Sequence, residues 1–117
     1  MELKQENIGG TVVVHCLGER LDSLVAIKFK DEFRQLAGED AQRVVLNMGA
    51  VKFMDSSGLG AVVAVFKLLG PDRVFDLACL TPAVDWVFRL TRMDSVFSIF
   101  DSVDAAVAAP PKSAMFI

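Results

Sequence analysis

Residues Arg43 to Gly70 read RVVLNMGAVKFMDSSGLGAVVAVFKLLG. RVVLNM is a short run apolar on both faces, which suits a strand in the middle of a sheet covered by helices. From Ser57 onward, Leu59, Val62, Val63, Phe66 and Leu69 recur at three- and four-residue intervals, and Gly70-Pro71 closes the stripe, so a helix is predicted there. A buried strand handed through a polar turn to a helix is the repeating unit of an α/β sheet.

The same unit recurs on both sides. Upstream, LKQEN, the turn signal Gly9-Gly10 and TVVVHCL predict an antiparallel hairpin. After Gly18, Asp22 or Ser23 is expected to cap a helix whose buried stripe is Ala26, Phe29, Phe33, Leu36 and Ala37 and which Gly38 ends. Downstream, VFDLACL reads as a strand, and Thr81-Pro82 as a helix start with Thr the cap and Pro the first helical residue. That helix should bury Val84, Val87, Phe88 and Leu90. SVFSIF is the last predicted strand, and Asp101 the expected cap of a small final helix before Pro110-Pro111. The order β-β-α-β-α-β-α-β-α predicts an α/β fold with a mixed, mostly parallel sheet, in one domain over residues 1–109 with a tail at 110–117.

Composition excludes several function classes. With 117 residues and 53% hydrophobic content the chain can bury a core without disulfides or a metal. A net charge of −3 and scattered Lys and Arg argue against direct nucleic-acid binding. Cys16 and Cys79 lie in apolar runs and read as small buried hydrophobes in a reducing compartment. MELKQENIGG has no apolar signal core, and GLGAVVAVF is too short to cross a membrane, so a soluble, cytoplasmic protein without membrane insertion is expected.

No enzyme activity and no cofactor are expected. The single histidine, His15, sits beside Cys16 on a strand, and strand neighbours point to opposite faces, so they cannot share a metal. DSSGLG lacks the spacing of a G-x-S-x-G elbow, and there is no Walker loop with its Lys. A phosphoacceptor receiver domain would need an acidic pair ending the first strand and a late lysine; VVVHCLG and SVFSIF supply neither.

Chemistry concentrates in Asp55-Ser56-Ser57-Gly58, at the entry to the second helix. Acid and hydroxyl side chains there can cap open backbone amides, for ~0.5–2 kcal/mol per cap. Capping does not call for Gly58 and Gly60, which cost ~1 kcal/mol each relative to Ala in a helix. Their presence implies that something approaches the turn closely, a partner surface or an enzyme gripping a serine hydroxyl. Met54 and Leu59 are expected to supply apolar contact area beside it, and Ser56 to act as a capping hydroxyl.

FMDSSGLG at Phe53–Gly60, with VVLN at Val44–Asn47, GERLDS at Gly18–Ser23 and LTPAVDWVFRLTRMDSVFSIF, resembles the STAS domain of the anti-sigma-factor antagonists. The resemblance runs from the first strand to about Ala109. It implies that Ser57 is the residue phosphorylated, Ser56 being the alternative, by a serine kinase of the histidine-kinase ATPase fold that is also the anti-sigma factor. The unmodified protein would bind that partner and free a sigma factor, phosphorylation would release it, and a metal-dependent serine phosphatase would reset the switch. Asp22 and Asp55 match the two acids flanking the family's site, with Met54, Ser56, Gly58 and Leu59 around it. An adaptor role without phosphorylation, as in transport or stress-signalling complexes, is the alternative within the same fold. The tail PPKSAMFI lies beyond the resemblance, and its apolar end, Met115, Phe116 and Ile117, would suit covering a pocket or pairing into a homodimer.

Overall fold

The computed structural model describes residues 2–110. Strands β1 (Leu3–Ile8) and β2 (Thr11–Cys16) form the expected antiparallel hairpin. Gly9 and Gly10 both take positive φ, 57° and 87°, the backbone that a tight hairpin turn with right-handed twist demands. Then follow β3 (Arg20–Leu21), α1 (Ala26–Ala37), β4 (Arg43–Asn47), β5 (Phe53–Met54), α2 (Ser56–Leu69), β6 (Val74–Ala78), α3 (Pro82–Leu90), a 3-10 turn at Met93–Ser95, β7 (Ser98–Phe100) and α4 (Val103–Ala108).

The main sheet has the order β1-β2-β4-β6-β7, with β1 antiparallel to β2 and every other pair parallel. The central strand is β4, whose two apolar faces the sequence anticipated. Alternation splits it: Val44 and Leu46 join Val12, Val14, Phe75 and Leu77 in the core under α1, α2 and α3, whereas Val45 joins Val13 and Ala78 under Ala106 of α4. Edge-to-face pairs among Phe66, Phe75, Phe88 and Phe97, with centroids 5.2–6.0 Å apart, fill the end of the larger core near β7.

On the α4 side the Arg43 guanidinium lies on the Asp76 carboxylate, Nε at 3.0 Å and Nη2 at 2.7 Å, and its Nη1 donates to the carbonyl of Ala109. A buried charge pair on adjacent strands thereby ties down the chain leaving α4.

Several local expectations are corrected. Two strands of two residues, β3 and β5, form a separate parallel ribbon and were not foreseen. α1 begins at Ala26 with no side-chain cap; Asp22 instead receives the Leu24 amide in the turn before it. Thr81 precedes α3 but its hydroxyl donates to the Val51 carbonyl at 2.7 Å, and Ser102, not Asp101, caps α4 through the Ala105 amide. Leu90 is 69% exposed, one turn beyond Trp86 on the solvent face of α3. The buried stripe of α2 is Gly58, Ala61, Val62, Val65 and Leu69, rotated from the predicted one, with Leu59, Val63 and Phe66 on its flank. Residues Met115 to Ile117 lie outside the described residues.

Candidate functional site

The β3-β5 ribbon sets the position of the Asp-Ser-Ser-Gly turn. Arg20 pairs with Phe53 and Leu21 with Met54. The amides of Lys52 and Phe53 both donate to the Glu19 carbonyl, at 2.7 and 3.1 Å. Strand alternation then sends Leu21 and Met54 inward and Arg20 and Phe53 outward, where the Arg20 guanidinium stacks 4.3 Å from the Phe53 ring centroid. Met54, expected near the surface, is therefore core, and the exposed apolar residue of the pair is Phe53, at 42%.

Asp55 caps α2. Its backbone is extended, its Oδ1 accepts the Gly58 amide at 2.9 Å, and its Oδ2 accepts the Ser23 amide at 3.2 Å from the loop before α1. One carboxylate thus fixes both the helix start and the neighbouring loop. The helix begins at Ser56, and the cap is Asp55 rather than Ser56. Ser56 and Ser57 are both exposed, and neither hydroxyl has a hydrogen-bond partner among the described residues.

The two serines differ in direction. At 3.6 residues per turn, Ser57 shares a stripe with Ala61, Ala64 and Leu68, whereas Ser56 lies about 100° round the helix. Ala64 and Leu68 face Lys30, Asp31 and Arg34 of α1, so helical spacing puts Ser57 on the α2 stripe turned toward α1 and Ser56 off it.

Asp22 is on the adjacent loop and is buried. Its Oδ1 accepts from Leu24 and its Oδ2 from Arg20 Nε at 3.1 Å, while its carbonyl takes the amides of Val25 and Ala26. The carboxylate is thus committed to shaping the loop that Asp55 grips.

Gly58 has an internal cause. A Cβ there would lie 1.9 Å from the Leu21 carbonyl oxygen, so α2 reaches β3 only because the residue has no side chain. The close approach read from sequence as a partner or enzyme is this one. At Gly60 an added Cβ meets nothing within 4 Å. Leu59 is half-buried against the larger core.

The apolar surface near Ser57 comes from residues that sequence reasoning passed over. Leu24 is 90% exposed and Ile27 71%, in the loop before α1 and on its first turn. A signal existed: Ile27 falls off the buried stripe Ala26, Phe29, Phe33, Ala37, so its side chain had no place in the core.

His15 makes a separate cluster on the α4 side of the sheet. The Gly49 amide donates to Asn47 Oδ1, which turns Asn47 Nδ2 toward His15 Nδ1 at 2.9 Å. His15 therefore carries its proton on Nε2, which donates to Glu6 at 2.9 Å. Burial pushes the Cys16 thiol up to about 12, whereas Cys79 is half-buried with φ 65°. Among the described residues no His, Cys, Asp or Glu grouping could hold a metal ion, and no helix is long and apolar enough to cross a membrane.

Comparison with known proteins places this geometry. The STAS domain family model matches residues 2–106. BtrV of Bordetella bronchiseptica, assigned by name to the anti-sigma factor antagonists, is 31% identical over 110 residues, covering 93% of this chain and 94% of that one. The crystal structure of an anti-sigma factor antagonist from Mycobacterium paratuberculosis superposes with a TM-score of 0.82 at 24% identity, covering 91% and 90% of the two chains. SpoIIAA of Bacillus, in its phosphorylated form, gives a TM-score of 0.65 at 22% identity over 91% and 96%. The chain belongs to the STAS domain family, and curated relatives matched along most of its length are named anti-sigma factor antagonists.

Proposed function

We propose that the protein is a phosphorylation-controlled partner switch centred on Ser57. Unmodified, it binds an anti-sigma factor that is also a serine kinase of the histidine-kinase ATPase fold. Phosphorylated, it releases that partner, and a metal-dependent serine phosphatase restores it. The observation that carries the reading is the Ser57 hydroxyl: exposed, without a hydrogen-bond partner among the described residues, and held on a helix start whose capping Asp55 also binds the loop that carries the exposed Leu24. SpoIIAA, on the same fold, has been solved in a phosphorylated form, which supports a modifiable member of the fold.

Electrostatics supports a change of surface rather than of fold. A phosphate adds ~−1.5 to −2 charges at pH 7 next to Asp55, on a chain of net charge −3. A helix N-terminus tolerates that charge, for ~0.3–1 kcal/mol in its favour. An interface closed over Leu24, Ile27 and Ser57 does not, because the dianion would be desolvated without a cation to pair it.

The test uses the purified kinase with ATP and three forms of the protein. Wild type should bind before labelling and be released once labelled; Ser57→Ala should bind and resist labelling; Ser57→Asp should melt like wild type and fail to bind. Continued labelling of Ser57→Ala would move the site to Ser56 or elsewhere, and binding by every form alike would leave the adaptor role.

A further inference from the structure

The groove between α1 and α2 continues away from Ser57 and has a chemistry of its own. Ile27, Lys30 and Arg34 recur at helical spacing along one wall, and Ser57, Ala61, Ala64 and Leu68 along the other. Between Lys30, Asp31 and Arg34 on one side and Ala64, Val65 and Leu68 on the other lies a trough of about 230 Å³. Ala64 is too small to fill it, Leu68, 51% exposed, leaves apolar surface at its edge, and Ile27, 71% exposed, lies one turn before Lys30 on α1. From Ser57 to Leu68 the stripe runs roughly 16 Å, three turns of helix.

Charge distinguishes the far end. Lys30 and Arg34 have no ion-pair partner among the described residues, in contrast to Lys28, which pairs with Glu32 on the same helix. Asp31 lines the same trough, so the two cations meet one carboxylate among its lining residues. A trough with an apolar wall on α2 and, on α1, two cations without an ion-pair partner among the described residues fits an amphipathic helix that carries carboxylates beside its apolar face.

We propose that the α1–α2 groove is the docking surface for an acidic amphipathic helix of the anti-sigma factor, laid from Ser57 to Leu68 with its carboxylates on Lys30 and Arg34. This rests on the partner named above and not on the phosphorylation itself. A phosphate on Ser57 would stand at the open head of the groove and repel the near end of an acidic helix, which gives the switch its leverage without any movement of the fold.

The test measures binding of the purified anti-sigma factor kinase at low and high salt to four forms of the full chain. Ala64→Arg should fill the trough and weaken binding at least about tenfold at an unchanged melting temperature. The Lys30→Gln, Arg34→Gln double variant should slow association and flatten its salt dependence, as loss of steering charges does. Trp86→Ser, on the solvent face of α3, should bind as wild type. A photo-cross-linking residue in place of Leu68 should attach to a Glu- or Asp-rich helical segment of the kinase.

Wild-type affinity and salt dependence in both groove variants, or attachment from position 68 to a basic or non-helical segment, would overturn the proposal. Ser57 labelling is read separately. Weak groove variants with an unlabelled Ser57 would keep the groove and remove the phosphoswitch; normal groove variants with release on Ser57 phosphorylation would do the reverse.

Discussion

The Asp55 carboxylate accepts the Ser23 amide at 3.2 Å through Oδ2 while Oδ1 accepts the Gly58 amide at 2.9 Å. The loop before α1 and the first turn of α2 are thus held by one side chain, and the surface around Ser57 is a single unit made of both.

Asp55→Ala should lose the cap and the cross-loop bond together. The expected cost is about 1–2 kcal/mol, seen as a melting temperature lower by several degrees, with weaker partner binding because the two loops separate. Asp55→Asn keeps an acceptor for one amide and should recover most of the stability. Equal melting of Asp55→Ala and wild type would mean that the ribbon alone positions the turn.

Two glycines two residues apart should respond oppositely to alanine. At Gly58 the new Cβ would lie 1.9 Å from the Leu21 carbonyl oxygen, backbone that cannot rotate away. Overpacking of this kind costs ~1–3 kcal/mol or more and outweighs the ~1 kcal/mol gained in helix propensity. Gly60→Ala meets nothing within 4 Å and should stabilise the protein by ~0.5–1 kcal/mol. Thermal or urea unfolding of the two variants reads both signs.

The alternating framework was legible because long stripes and Gly or Pro punctuation define it, as at Gly9-Gly10 and Gly70-Pro71. The ribbon was not, since two residues carry no period. Without it the inward and outward members of Phe53-Met54 are interchanged, which puts Met54 at the surface and leaves Phe53 out of account. In α2 nearly every residue from Ala61 to Leu69 is apolar, so neighbouring stripes compete and the buried face is settled only by packing. Gly58 carried a true signal of close approach, but the identity of what approaches, the Leu21 carbonyl, depends on a contact 37 residues away in the chain. Asp55 at the helix start was legible through residue type; the difference in direction between Ser56 and Ser57 needed the helix start.

Arg43 and Asp76 should behave as a buried pair. Arg43→Ala leaves the Asp76 carboxylate in a site 5% exposed and frees the Ala109 carbonyl, for an expected loss of about 3–5 kcal/mol. The double variant Arg43→Met, Asp76→Leu should recover much of that loss, because no buried carboxylate is then left without its guanidinium. A double variant as unstable as Arg43→Ala would assign the effect to the anchoring of α4.

The two thiols should separate by reactivity and by pH. At pH 8 Cys79, half exposed, should react with a disulfide reagent in the native protein, and Cys16 only on unfolding. Burial raises the Cys16 pKa from 9.0 to about 12, so the folded state disfavours the thiolate. This contribution is intact below pH 9 and is lost as pH rises toward 12, at up to ~1.4 kcal/mol per pH unit. Cys16→Ala should flatten that alkaline decline in stability; an unchanged decline would place its cause in other groups.

The central claim is tested most directly by preparing the protein with phosphate on Ser57 and measuring its affinity for the anti-sigma factor kinase against that of the unmodified protein. The switch predicts binding at least about a hundredfold weaker, with the melting temperature within a few degrees of the unmodified form. Equal affinity of the two forms, or a loss of binding accompanied by unfolding, would contradict it.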